Sequence, residues 1–252
     1  MISSIHDYCD RWCERCTLTS HCAIFEPQDE ISRDPRNRDM RNGRFWRNLF
    51  DILHSTQDMV REMAEAHGID LDADDFEAAE AEEAAEEARR EAADSHECAR
   101  AAKAYSRRAQ QWLDAADALL AEKERELQQV ARLELPGRNP REEAATIRDA
   151  IDIVGWYHHL ICTKLHRALW GEAGEIPAGL EDEPKDSDGS AKVALLGMDR
   201  SIAAWGALRD HFPERANEIL DILINLDRLR RRTEKEFPDA RTFVRPGFDE
   251  GV

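Results

Sequence analysis

"NPREEAATIRDAIDIVGWYHHLICTKLHRALW", residues 139–170, carries a helix signal at its start and along its length. Asn139 is a cap, Pro140 suits the first helical position, and Glu142 puts an acid in the first turn. Ile147, Ile151, Val154, Ile161 and Leu165, with His158 among them, recur at helical spacing and form one apolar face. Gly171 and Gly174 end it. The segment is a long helix that needs other helices around it.

Outward from it the same pattern repeats. From Arg44, residues Phe45, Leu49, Ile52, Leu53, Met59, Val60 and Met63 recur in steps of three and four, with a stop at Gly68. Residues 70–97 hold thirteen Asp/Glu against two Arg, and most of the rest is alanine. That composition forms helix but has little apolar mass to bury. Asp94 and Glu97 fit a capping box that restarts a helix. Beyond it Cys98, Ala102, Tyr105, Ala109, Trp112, Ala116 and Leu119 form a seam on a single long helix ending near Leu135-Pro136-Gly137. A further helix is expected from Ser190 to about Asp210, with Asp188 to Ser190 as its starting loop. Pro213-Glu214 opens the last helix, which fades after Phe237-Pro238.

No β alternation and no internal repeat is visible. The expected fold is all-α: a bundle of four to five long helices carrying an N-terminal four-cysteine metal module. The organisation is a cysteine module over 1–26, a connecting loop over 27–43, and a helical bundle over 44–237 that includes the acidic Ala/Glu-rich helix at 70–97. An irregular C-terminal tail over 238–252 follows.

The chain has 252 residues, 42% hydrophobic and 35% charged, with net charge −18 and mean hydropathy −0.67. A nucleic-acid or anionic-membrane partner needs clustered Lys/Arg, which this balance disfavours. No stretch approaches the roughly 20 apolar residues of a bilayer span, and "MISSIHDYCD" lacks a secretory start. A cytoplasmic protein is therefore expected, where clustered thiols bind metal more often than they form disulfides.

Four of the six cysteines lie within "YCDRWCERCTLTSHC", residues 8–22, spaced Cys9-x3-Cys13-x2-Cys16-x5-Cys22. If residues 4–16 are helical, Cys9, Cys13 and Cys16 fall within about 60° of one another on one face. Their spread along the axis then suits a [4Fe-4S] iron–sulfur cluster better than one small ion. If Cys13-Glu14-Arg15-Cys16 is a turn, a four-thiolate zinc site becomes easy. Cys22 needs a chain reversal in either case, and Thr17 to His21 suit a turn. Tyr8 and Trp12 beside the thiols suggest a partly buried site.

Cys9-x3-Cys13-x2-Cys16 resembles the cluster motif of radical-SAM enzymes, but position 15 is Arg where that family places an aromatic, and no strands follow. Cys13-x2-Cys16-x4-His21 resembles the start of a retroviral-type zinc knuckle, whose last cysteine would fall at Glu26. The leading expectation is an iron–sulfur cluster held by Cys9, Cys13, Cys16 and Cys22, which implies electron transfer or redox sensing with a protein redox partner; zinc is the alternative. Zinc implies a stapled protein–protein interaction module.

Other residues group less sharply. Asp152, His159 and His166 repeat every seven residues, with Cys162 between them, and could serve a helical-bundle enzyme. Asp199-Arg200 interrupts an apolar helix, where charge is costly unless partnered. Lys164 and Arg167 are the expected partners of Asp199, or else join Arg200 in an anion pocket. Gly197, Ser201 and Ala204 form a small-residue face for close helix packing. The arginines at 33, 36, 38, 41, 44 and 47 are expected to pair with the acidic 70–97 region.

Overall fold

The computed structural model describes residues 5–22, 25, 41–67, 76–133, 139–174 and 185–249, and among these it is helical with no strand. The helices are α1 (Gly43–His67), α2 (Phe76–Ser95), α3 (Glu97–Asp114), α4 (Asp117–Leu133), α5 (Pro140–Glu172), α6 (Asp186–His211) and α7 (Ala216–Glu236). The chain divides into two compact units. One comprises Met1–His6 with Cys13–Glu86, and the other Asp7–Trp12 with Glu87–Val252.

In the first unit α1 forms where the three- and four-residue pattern predicts it. Several of its apolar side chains stand in solvent: Trp46, Phe50, Leu53 and Met59 are each more than half exposed. The expected loop over 27–43 falls almost wholly outside the described residues, as does any pairing of Arg33, Arg36 and Arg38.

The second unit holds the core. α5 packs along α6, α3 crosses α5 and α7, and α7 closes on α6. Asn139 caps α5 by accepting from the Glu142 amide, with Pro140 next in line. The predicted face is buried at Ile147, Val154, Ile161 and Leu165, each at most 5% exposed, while Ile151 is half-buried. The seam of α3 is buried from Cys98 to Trp112. α7 contributes Ile219, Ile222, Leu226 and Leu229, again in alternating steps. Trp112 meets Trp205 edge-on at 5.1 Å.

Close approach of α5 and α6 depends on Gly197. A Cβ there would lie 2.9 Å from the Tyr157 ring and 3.1 Å from Ile161. The small-residue face anticipated at Gly197, Ser201 and Ala204 thus has its use, and all three are buried.

Three boundaries differ from expectation. The restart after α2 is capped by His96, whose Nδ1 accepts from the Cys98 amide, and not by Asp94. Asp94 is drawn away to Lys103 at 2.7 Å and His166 at 3.2 Å. The single helix expected beyond Cys98 breaks at Ala115–Ala116, where the Ala116 amide shortens its bond to Leu113. Ala116 stays buried, so the seam keeps its register while the backbone breaks. Finally, α6 begins at Asp186 rather than Ser190. Its "DSDGS" start mimics a loop because small residues are needed there, and Ser187 to Ser190 are buried.

Residues 238–249 run as successive turns. Arg245 clasps Asp249 through its guanidinium and its amide, while Lys192 holds Asp249 and the Phe243 carbonyl. The tail is thus tied to α6.

Candidate functional site

Asp7–Trp12 lies across α5 and α6 as an irregular strap of bends. Lys164 Nζ donates to the Asp7 carbonyl at 2.6 Å, and Trp156 Nε1 to the Asp10 carbonyl at 2.9 Å. The Asp10 carboxylate takes the Tyr157 hydroxyl at 2.5 Å and an Arg200 nitrogen at 2.7 Å. Arg200 also reaches the Tyr157 hydroxyl. Burial, then Asp10, push the Tyr157 phenol well above its ordinary range. Trp12 stacks on Trp156 at 5.1 Å, 16° from parallel.

Upstream, Tyr8 donates to Asp186 at 3.0 Å, and Arg167 clamps the same carboxylate with two nitrogens at 2.7 and 3.1 Å. Burial, with Asp186 beside it, pushes the Tyr8 phenol up to about 12. The Tyr8 ring lies against Phe243, 4.8 Å between centroids. Both rings sit over Gly189, where a Cβ would come within 2.3 Å of Tyr8 and 2.7 Å of Phe243. Arg11, between these anchors, has φ 58°. That left-handed backbone is unfavourable for a non-glycine residue, and the anchors on either side hold it.

The strap carries Cys9. Its thiol is pushed up by burial and drawn down by the Arg11 amide and by the charges of Arg11 and Lys164. Lys164 is buried, and that burial followed by Arg167 lowers its own pKa. Downstream, Cys13–Arg15 is a 3₁₀ turn closed by the Cys16 amide on the Cys13 carbonyl at 3.2 Å. The Leu18 amide then donates to the Cys16 sulfur at 3.4 Å. Thr19–His21 is a second 3₁₀ turn, and the Cys22 amide closes on the Thr19 carbonyl. The continuous helix that would favour a cluster is therefore not formed over the described residues, since Asp10 to Trp12 have no regular secondary structure, Arg11 is left-handed, and a turn follows. The second turn falls within Thr17 to His21, where a turn was expected.

Cys9, Cys13, Cys16 and Cys22 are all half-buried, and none of them is in a disulfide. Among the described residues no three Cys, His, Asp or Glu side chains stand close enough to hold a metal ion.

The candidate residues outside the cysteine segment separate. Asp152 and His159 face solvent, while His166 turns to Asp94. The expected partners of Asp199 are engaged elsewhere, Lys164 with the strap and Arg167 with Asp186. Asp199 instead meets Arg241 at 2.6 Å and Arg230 at 3.3 Å. The cause is helical phase: Asp199 faces α7 and the tail, and Arg200, about 100° further round, faces α5 and the strap. Lys164, Arg167 and Arg200 do line one side of the bundle, but each is satisfied by the strap or by Asp186 rather than opened to an anion.

The anchoring role of Asp10, Trp156 and Tyr157 has no sequence signature, because it joins residues 146 and 147 positions apart. Tyr8 and Trp12 signalled only burial. Comparison with protein-family models, curated proteins and solved structures finds no match for this chain.

Proposed function

We propose that Cys9, Cys13, Cys16 and Cys22 bind one zinc ion as thiolates and that the ion staples the amino-terminal chain of a helical interaction protein. The supporting observation is the Leu18 amide donating to the Cys16 sulfur, directly after the turn at Cys13–Arg15. Amides aimed at sulfur stabilise thiolate, the form that ligates metal. The Arg11 amide acts likewise on Cys9. The turn-based spacing suits one small tetrahedral ion, with Zn–S near about 2.3 Å. Thiolate sites of this size gather on loading, because ligand convergence and metal binding are coupled. Four protein sulfurs leave no open position for water or substrate, so the ion's role is scaffolding rather than catalysis.

Metal analysis with a visible spectrum on oxygen-free protein tests this. Colourless protein carrying one zinc per chain is expected, with Cys13→Ser losing the metal and melting lower. Brown protein with iron and sulfide near about four each would replace zinc by the cubane cluster and its redox role. Metal-free protein whose stability is indifferent to chelator would refute both.

A further inference from the structure

A groove of about 400 Å³ runs between α4 and α5, and no strap residue lines it. Its floor is apolar, with Leu127, Ile147 and Ile151 among its lining residues, and its edge carries Lys123, Arg141 and Arg148 against one carboxylate, Glu124, which accepts from Gln128 at 3.3 Å. Two things about it are unusual for this chain. First, α4 is seventeen residues long yet buries only Leu127, so its apolar stripe is covered for less than its length. Second, the chain is strongly acidic at −18, yet Arg141 and Arg148 are exposed and have no acidic partner among the described residues. Lys123, by contrast, is engaged by Glu126 at 3.0 Å and Glu143 at 3.2 Å.

We infer that this groove is a docking site for an acidic amphipathic helix of a partner protein. Two antiparallel helices with an apolar trough between them lack the third helix that would complete a bundle layer, and an amphipathic helix supplies apolar anchors at i, i+3, i+4 and i+7. The charge pattern selects the occupant. Arg141 and Arg148 are seven residues apart on α5, about 10.5 Å along the axis at about 1.5 Å per residue. Two carboxylates one heptad apart on an incoming helix match that separation. A single-chain fatty acid brings one carboxylate and leaves one arginine unmatched. Every groove residue lies in α4, in α5 or at the start of α5, so the inference stands apart from the metal reading.

The test uses the full chain and a fluorescein-labelled synthetic helical peptide of eighteen residues. It has leucine at the anchor positions and glutamate flanking them one heptad apart. A second peptide carries lysine in place of glutamate, and dodecanoate serves as the amphiphile probe. Fluorescence anisotropy is expected to give saturable binding of the glutamate peptide and at least tenfold weaker binding of the lysine peptide. R141E/R148E should reverse that preference, with its melting curve checked because both side chains are exposed. Ala144→Trp, which fills the trough, should abolish binding of either peptide; if it does not fold, the charge reversal decides alone. Absence of saturable binding, equal binding of the two peptides, indifference to R141E/R148E, or competition by dodecanoate that does not depend on the arginines would overturn the proposal.

Discussion

Acid should weaken this fold through one buried ring, His158. The side chain is 2% exposed and shares a hydrogen bond with Ser106 Oγ at 3.0 Å. Burial, and then the neighbouring His159, lower its pKa from 6.5 to about 4, against weaker upward pulls from Asp114 and Ser106. The folded state therefore binds the proton more weakly than the unfolded chain does. Above pH 6.5 both states are neutral at this ring and its contribution is intact. As pH falls through 6.5 the unfolded chain takes up a proton that the folded protein refuses, and stability declines until the folded ring titrates near 4. A factor of ten in proton affinity is about 1.4 kcal/mol, so the full loss is about 3 kcal/mol, against about 5–15 kcal/mol for a typical domain. Urea denaturation of wild type and His158→Gln across pH 7.5 to 4.5 measures it. Glutamine keeps a partner for Ser106 but does not titrate, so the carboxylates common to both proteins cancel in the difference. The wild type should lose about 2–3 kcal/mol more than the variant over that range. A flat difference, or an NMR titration placing His158 near 6.5, would refute the reasoning.

Two further outcomes concern the strap. Gly189→Ala drives a Cβ into the Tyr8 ring at 2.3 Å and should lower stability by about 1–3 kcal/mol while speeding tryptic cleavage at Arg11. Gly155→Ala is its control: nothing lies within 4 Å of that Cβ, so about 0.5–1 kcal/mol of stabilisation is expected. Equal cleavage and equal melting of the two variants would show that Tyr8 is not seated on Gly189. Asp10→Ala removes the acceptor shared by Tyr157 and Arg200 and should cost about 1–3 kcal/mol, with a red shift of tryptophan emission as Trp12 lifts off Trp156. An unshifted spectrum would mean the stacking holds the strap without Asp10.

Local signals placed most of the helical architecture. Asn139-Pro140 with Glu142 marks the start of α5 because cap, fixed φ and first-turn acid all act within four residues. The buried faces of α3 and α5 follow from periodicity, whereas α1 carries the same period and leaves Leu49, Leu53 and Met59 exposed, because periodicity marks a face but not its partner. Boundaries failed where a neighbour outweighed local preference. "DSDGS" reads as a loop, yet it is helix because Tyr8 and Phe243 need small residues beneath them.

The sequence by itself determined the helices, their apolar stripes and the spacing of the thiols, because each rests on contacts within a few residues. The tertiary structure alone decided the partners of the charges. It sent Asp199 to Arg230 and Arg241, brought Arg200 and Tyr157 to Asp10, and turned His166 to Asp94. Such pairings depend on the rotation of one helix against another, to which side chains far apart in the chain contribute together. No local pattern carries that information.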